Sequence, residues 1–139
     1  MNHSNKTVCV VGGSGLLGSN VLKEALARGY KVNGTLRDVN APGKATFLNA
    51  LPNAETNLKL FEAEMADKAS FDDAFSNVDC VFIACLIPVY KGPTGKPARE
   101  MDDEQGYAEI IMPTVNGCLN IMNAAAKQKV KNLSLIHIS

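Results

Sequence analysis

The sequence carries no excess charge of either sign, its 14 basic and 14 acidic residues cancelling. That balance removes the electrostatic footprint by which a protein attracts nucleic acid or an anionic membrane surface, so a small-molecule substrate or a protein is the expected partner. Histidine is scarce: His3 and His137 are the only two. Of the four cysteines (Cys9, Cys80, Cys85 and Cys118), only Cys80 and Cys85 come close together, in a C-x4-C pair that matches no usual zinc spacing. No metal site is expected. No run approaches the roughly 20 apolar residues of a membrane span, and the apolar stretch behind the polar start, Met1 to Lys6, is about five residues, shorter than a signal-peptide core. The expected compartment is the cytoplasm. Cysteines set in apolar runs such as Val8-Cys9-Val10, Asp79-Cys80-Val81 and Ala84-Cys85-Leu86 read as small hydrophobes, and reduced thiols fit a reducing compartment. Neither an internal repeat nor a low-complexity tract is present.

What remains is an apolar pattern that switches period. A chain of 139 residues can form one core and bury roughly 68–70% of its unfolded surface. Thr7 to Val11 is a continuous, mostly β-branched apolar run followed by glycines, the signature of a strand covered on both faces. Leu16, Leu17, Val21, Leu22, Ala25 and Leu26 then recur at helical spacing up to Arg28-Gly29. The alternation continues with a strand over Lys31 to Leu36, a short helix over Lys44 to Leu51 and a strand over Leu58 to Ala63. A helix over Ser70 to Phe75, capped by Ser70, and a strand over Asp79 to Leu86 follow. This order predicts an α/β fold: a Rossmann-type doubly wound parallel sheet in three α/β/α layers, ending after about the fifth strand. Ile87 to Glu104, rich in proline and glycine, is long for a plain connection, and such a loop at the carboxyl end of a strand is usually functional. A long helix from about Tyr107 to Lys129 carries Ile111, Val115, Leu119 and Met122 on one stripe, the face expected to meet the core, with a kink at Pro113.

The chemistry-bearing segment is Gly12-Gly13-Ser14-Gly15-Leu16-Leu17-Gly18, placed between a strand and an amphipathic helix. It satisfies both G-x-G-x-x-G and G-x-x-G-x-x-G, and both assign the same work. One glycine permits the tight turn, a second lets backbone amides approach a diphosphate, and Gly18 lets the helix lie close to the strand. The helix N-terminus, with unpaired N–H groups and partial positive charge, then faces the phosphates. Cofactor-binding positions are therefore expected at Gly12, Ser14, Gly15, Leu16, Leu17 and Gly18. Cofactor choice is read at the end of the second strand, where an acid suits a ribose 2′-hydroxyl and an arginine a 2′-phosphate. Arg37, whose donor fork matches a phosphate, points to NADP, while the adjacent Asp38 keeps NAD open.

Taken with Leu36-Arg37-Asp38, Lys44, Leu51-Pro52-Asn53-Ala54-Glu55-Thr56, Ala69-Ser70-Phe71-Asp72 and Pro113-Thr114-Val115-Asn116-Gly117, the glycine loop makes the chain resemble a known family. It is similar, from about Lys6 to Asn132, to the dihydroflavonol reductase and cinnamoyl-CoA reductase branch of the extended short-chain dehydrogenase/reductases, within the NAD-dependent epimerase/dehydratase superfamily. The resemblance implies an NADPH-dependent oxidoreductase of carbonyl-type small molecules. It also implies a second cation near the 2′-phosphate at Lys44, an adenine contact at Glu64 and Met65, and a ribose and diphosphate lining at Ala84 and Cys85. Two departures stand out: Glu64 replaces the family's aspartate, and Cys85-Leu86-Ile87-Pro88 replaces its Ala-Thr-Pro, on the substrate side. The family's catalytic Tyr-x-x-x-Lys pair is not present, because Gly34, Thr94 and Ile111 stand four residues after Tyr30, Tyr90 and Tyr107. No catalytic residue is assigned, and the chain is expected to be the N-terminal fragment of a longer enzyme, inactive by itself.

The segment Leu133 to Ser139 matches the translation of the transposon-adaptor read CTGTCTCTTATACACATCTC. The cofactor domain is therefore expected over residues 1–132 and a non-native tail over 133–139. Two alternatives remain at this point: an NAD-dependent nucleotide-sugar epimerase or dehydratase, against which Arg37 argues mildly, and a non-catalytic dinucleotide-sensing regulator of the same fold. Substrate and oligomeric state are not legible.

Overall fold

The computed structural model of the protein describes residues 5–85 and 92–135. Five parallel strands, β1 (Thr7–Val11), β2 (Lys31–Leu36), β3 (Leu58–Glu62), β4 (Cys80–Ile83) and β5 (Asn132–Leu135), form one sheet in the order β3-β2-β1-β4-β5. From β1 the chain winds outward through β2 to β3, then returns to the other side of β1 for β4 and β5. The order in which strands are added thus reverses at β1, and in open α/β sheets the crevice at such a point, outside the carboxyl ends of the strands, is where ligands bind.

Side chains alternate across a strand, and β1 shows how one apolar run serves two cores. Val8 and Val10 pack with Leu22, Leu26, Val32 and Leu48 on one face of the sheet. Cys9 and Val11 pack with Phe71, Phe75, Val81 and Ile121 on the other. The first face is covered by α1 (Leu16–Ala27), which buries Leu22, Ala25 and Leu26, and by α2 (Lys44–Asn49), which buries Leu48. Each such large apolar side chain removed from water contributes roughly 1.5–3 kcal/mol. Leu48 is followed closely by α3 (Ala54–Asn57), a single turn entered through Asn53 in the left-handed region at φ 68°. No periodic signal marks so short an element, and sequence reading did not anticipate it.

The opposite face differs from expectation in two places. Residues 68–77 form successive turns in place of the helix expected over Ser70 to Phe75. The Ser70 hydroxyl does not cap: it accepts from the Glu64 N–H at 3.0 Å and lies 2.7 Å from the Asp67 carbonyl. Buried Asn33 of β2 donates to the Ala74 carbonyl at 2.9 Å, and Asn77 turns the chain away at φ 59°. Phe71, Ala74, Phe75 and Val78 are still buried at helical spacing, the two rings stacked at 5.4 Å. The second difference lies in the long helix, which runs as α4 (Asp103–Gly106), a π-helical turn (Tyr107–Ile111) and α5 (Met112–Lys127). Pro113 does not simply kink it. Its ring would meet the Glu109 carbonyl of an α-helix, and the wider π turn removes that conflict, while the Thr114 hydroxyl takes the Ile110 carbonyl at 2.8 Å.

The face of α5 that meets the core carries Gly117, Ile121, Ala124 and Ala125. The stripe expected there, Ile111, Val115, Leu119 and Met122, is exposed by 44–52%. Two apolar faces share one period, and the face with small residues wins because it allows the helix to approach the sheet closely. Strand β4 spans Cys80–Ile83, shorter than expected; Leu86 and the start of the loop from Ile87 lie outside the described residues. β5 includes Leu133 to Leu135 of the segment read as a tail, paired in parallel with β4.

Candidate functional site

The turn from β1 into α1 gives each of its glycines a different physical reason. Gly12 adopts φ +82°, and a Cβ there would stand 2.5 Å from the Cys85 Cβ, so the turn after β1 and the end of β4 touch at this point. Gly18 is buried, and a Cβ on it would collide with the Gly12 carbonyl oxygen. Gly15 is the exception. It is exposed, its backbone is ordinary (φ −72°, ψ 169°), and a Cβ would meet only the Gly12 oxygen, at 3.5 Å. Nothing among the described residues excludes a side chain there.

Three amides of the turn are already used. Gly12 N–H donates to the Thr35 hydroxyl at 3.2 Å, Gly13 N–H to the Thr35 carbonyl at 2.9 Å and Gly15 N–H to the Gly12 carbonyl at 3.2 Å. Helix geometry leaves the first N–H groups of α1, those of Leu16, Leu17 and Gly18, without an intrahelical acceptor; the first to find one is Ser19, donating to the Gly15 carbonyl at 2.8 Å. Donors for an anion therefore come from the start of α1, not from Gly12 or Gly15, whose parts are shape. No side chain caps this helix end, and no acidic residue stands in its first turn. Leu16 is 85% exposed, so its contribution is its backbone.

A cleft of about 1050 Å³ runs along the carboxyl ends of β2, β1 and β4. It is bordered by Gly12, Ser14 and Gly15 at the turn, Arg37 and Lys44 beyond β2, Glu64 and Met65 beyond β3, and Ala84 and Cys85 beyond β4. Leu16, Leu17 and Gly18 are absent from its walls, facing it only through the helix end. Arg37, Lys44 and Glu64 are exposed side chains free to meet a ligand. Asp38 accepts from the Asn40 N–H at 2.8 Å, which commits it locally. Residues 64 and 65 are held from behind: Ser70 binds the Glu64 backbone, and Asn120 of α5 donates to the Met65 carbonyl at 2.8 Å.

Sequence reading missed Thr35, whose two oxygens organise the glycine turn, and it missed Asn120. It also missed Gly92, Pro93, Glu109 and Pro113, which complete the cleft on the β4 side. Only the first two of these four fall in the loop already singled out by its length. No cluster of three or more His, Cys, Asp or Glu able to hold a metal stands among the described residues, and no described helix is long and apolar enough to cross a membrane.

Cys85 is the cysteine that borders the cleft, and its surroundings disfavour the thiolate. Burial, with Cys118 adding to it and Arg37 opposing it, pushes Cys85 up to about 11 from an ordinary value of 9.0. Burial likewise raises Cys9, and burial with Asp79 raises Cys80. In the unfolded chain these thiols lose their protons near their ordinary value, while the folded chain keeps them. Stability is thus expected to be unaffected below that value and to fall as pH rises from about 9 to 11, by up to about 1.4 kcal/mol per pH unit for each proton retained. Urea unfolding across that range checks it, with a shallower decline in Cys85→Ala.

A sequence profile of the NmrA-like family matches residues 4–103. The chain belongs to that family. It is 40% identical over 129 residues to dihydroflavonol 4-reductase of Arabidopsis thaliana, an alignment covering 93% of this chain and 31% of the relative. Among solved structures, vestitone reductase from alfalfa (Medicago sativa) matches with TM-score 0.68 and 32% identity, over 93% of this chain and 35% of that one. Yeast methylglyoxal/isovaleraldehyde reductase Gre2, complexed with NADPH, shares the fold with TM-score 0.68 at 20% identity, over 93% and 36% of the two chains. This member of the NmrA-like family spans about a third of the length of the curated relatives it matches.

Proposed function

We propose that the chain is the cofactor platform of a larger NADPH-dependent oxidoreductase that reduces a carbonyl-type small molecule. The observation that carries the reading is Gly15: the fold supplies no reason for a glycine there, so the reason is a ligand that approaches the backbone. The diphosphate of a dinucleotide fits, because the open amides at the start of α1 and its dipole favour a group of that charge. Arg37 and Lys44 on the same cleft suit a 2′-phosphate, and Glu64 with Met65 provides a bed for the adenine. Ala84 and Cys85 line the passage toward the other nucleoside. The names of the relatives, reductases in each case, and the NADPH complex of one of them support the same reading.

The bound cofactor would supply hydride. The described residues would bind and orient it, and the raised thiol of Cys85 would leave the passage uncharged. Proton transfer falls to residues outside this chain, which is therefore expected to bind without turnover. Titration with NADPH and NADH tests the assignment. Replacing Arg37 by alanine should weaken NADPH by about tenfold, the lower end of a charge-assisted bond because Arg37 is exposed, and leave NADH unchanged. Tighter binding of NADH than of NADPH by the unaltered chain would overturn the assignment of Arg37.

A further inference from the structure

Glu109 is a half-buried acid that the reading above does not use. One oxygen, Oε1, accepts from the Gln105 side chain at 3.3 Å, and Gln105 in turn accepts from Lys96 at 2.9 Å. The other, Oε2, is shut off from water and has no partner among the described residues. Neither ion pair found there includes it. Gly92 packs directly against that oxygen, with no room for a Cβ between them. An orphaned buried acceptor of this kind costs roughly 1–3 kcal/mol and is rare in folded proteins, which makes it a mark of something still to be bound.

Its place in the chain points the same way. Glu109 lies in the π turn, an irregularity found often at functional sites, and it borders the same cleft as the glycine turn. The order of strands says which part of a dinucleotide would lie near it. With the diphosphate at the end of β1 and Arg37 claiming the β2 side for the adenosine, the second nucleoside lies toward β4, whose end leads to the helix that carries Glu109. We infer that Glu109 is a ligand-binding residue for that second half of the cofactor, its unpaired oxygen accepting from a ribose hydroxyl or the carboxamide N–H. The inference rests on the cofactor reading above. The acceptor is desolvated in advance, so a donor that reaches it displaces no water from the protein side.

Binding of NADPH and of 2′,5′-ADP, which lacks the second nucleoside, separates the possibilities on the chain as it stands. Glu109→Met should weaken NADPH by about 10- to 100-fold while 2′,5′-ADP stays within about twofold. The ligand-free melting temperature should hold or rise, since a buried orphan has been removed. Unchanged NADPH affinity overturns the inference. So does equal weakening of both probes with a lowered melting temperature, which would make Glu109 a structural strut. Should the methionine variant not fold, Glu109→Gln, which keeps the shape, is expected to show the same split between probes, and its absence overturns the inference equally. If the unaltered chain binds neither probe, the cofactor reading itself falls and takes this one with it.

Discussion

Gly15→Val should leave the chain folded and remove dinucleotide binding. The native backbone at Gly15, φ −72° and ψ 169°, is one that valine adopts readily, and the space beside it holds only a carbonyl oxygen at 3.5 Å. Its melting temperature should therefore stay close to that of the unaltered chain. The branched side chain, however, stands over the first amides of α1 and keeps a phosphate at a distance where their hydrogen bonds are lost. Two charge-assisted bonds at roughly 1.5–3 kcal/mol each amount to a loss of at least about 100-fold in affinity. Calorimetric titration with NADPH, alongside thermal unfolding, checks both halves. A folded variant with undiminished affinity would remove the diphosphate from this turn.

Gly18→Ala should do the reverse, acting on the fold first. A Cβ at Gly18 collides with the Gly12 carbonyl, a backbone atom anchored by the contact of Gly12 with Cys85 and by its N–H bond to Thr35. Neither partner can swing aside as a side chain would. The start of α1 must lift from the end of β1, and Leu22 and Leu26, fully buried further along the helix, lose packing with it. The expected cost is roughly 3–5 kcal/mol, at the high end of overpacking because the obstacle is backbone. For a chain of this length that lowers the melting temperature by roughly 10 °C or more. A variant as stable as the original would show that helix and strand are not in contact at Gly18.

The two variants together state how much of this molecule is readable from sequence. The strand at Thr7–Val11 falls where a continuous apolar run places it, because a strand covered on both faces admits few polar residues, and those at Lys31–Leu36 and Leu58–Glu62 fall where the alternation with helices puts them. The glycine turn is legible for the same local reason: its sequence spacing is its geometry. What sequence does not carry is the choice among equivalent local patterns. In α5 two apolar stripes have the same period, and only the approach of the sheet decides that Ile121, Ala124 and Ala125 go in while Leu119 and Met122 stay out. Over residues 68–77 a helical spacing survives without a helix, and the segment is tied to the sheet by Asn33, 41 positions from Ala74, whose carbonyl it binds. Thr35, Asn120 and Glu109 have their parts through partners far away along the chain or through a missing partner, and no window of neighbours reports that.

The outward stripe of α5 has a consequence for handling the protein. Ile111, Val115, Leu119 and Met122 present about half of their surface to solvent, on a molecule whose opposite charges balance. Long-range repulsion is too weak to keep copies apart, while the attraction between such faces grows with kosmotropic salt. Ammonium sulfate or phosphate buffer will thus bring the chain out of solution well before chloride does, and dilution at low ionic strength will keep it dispersed.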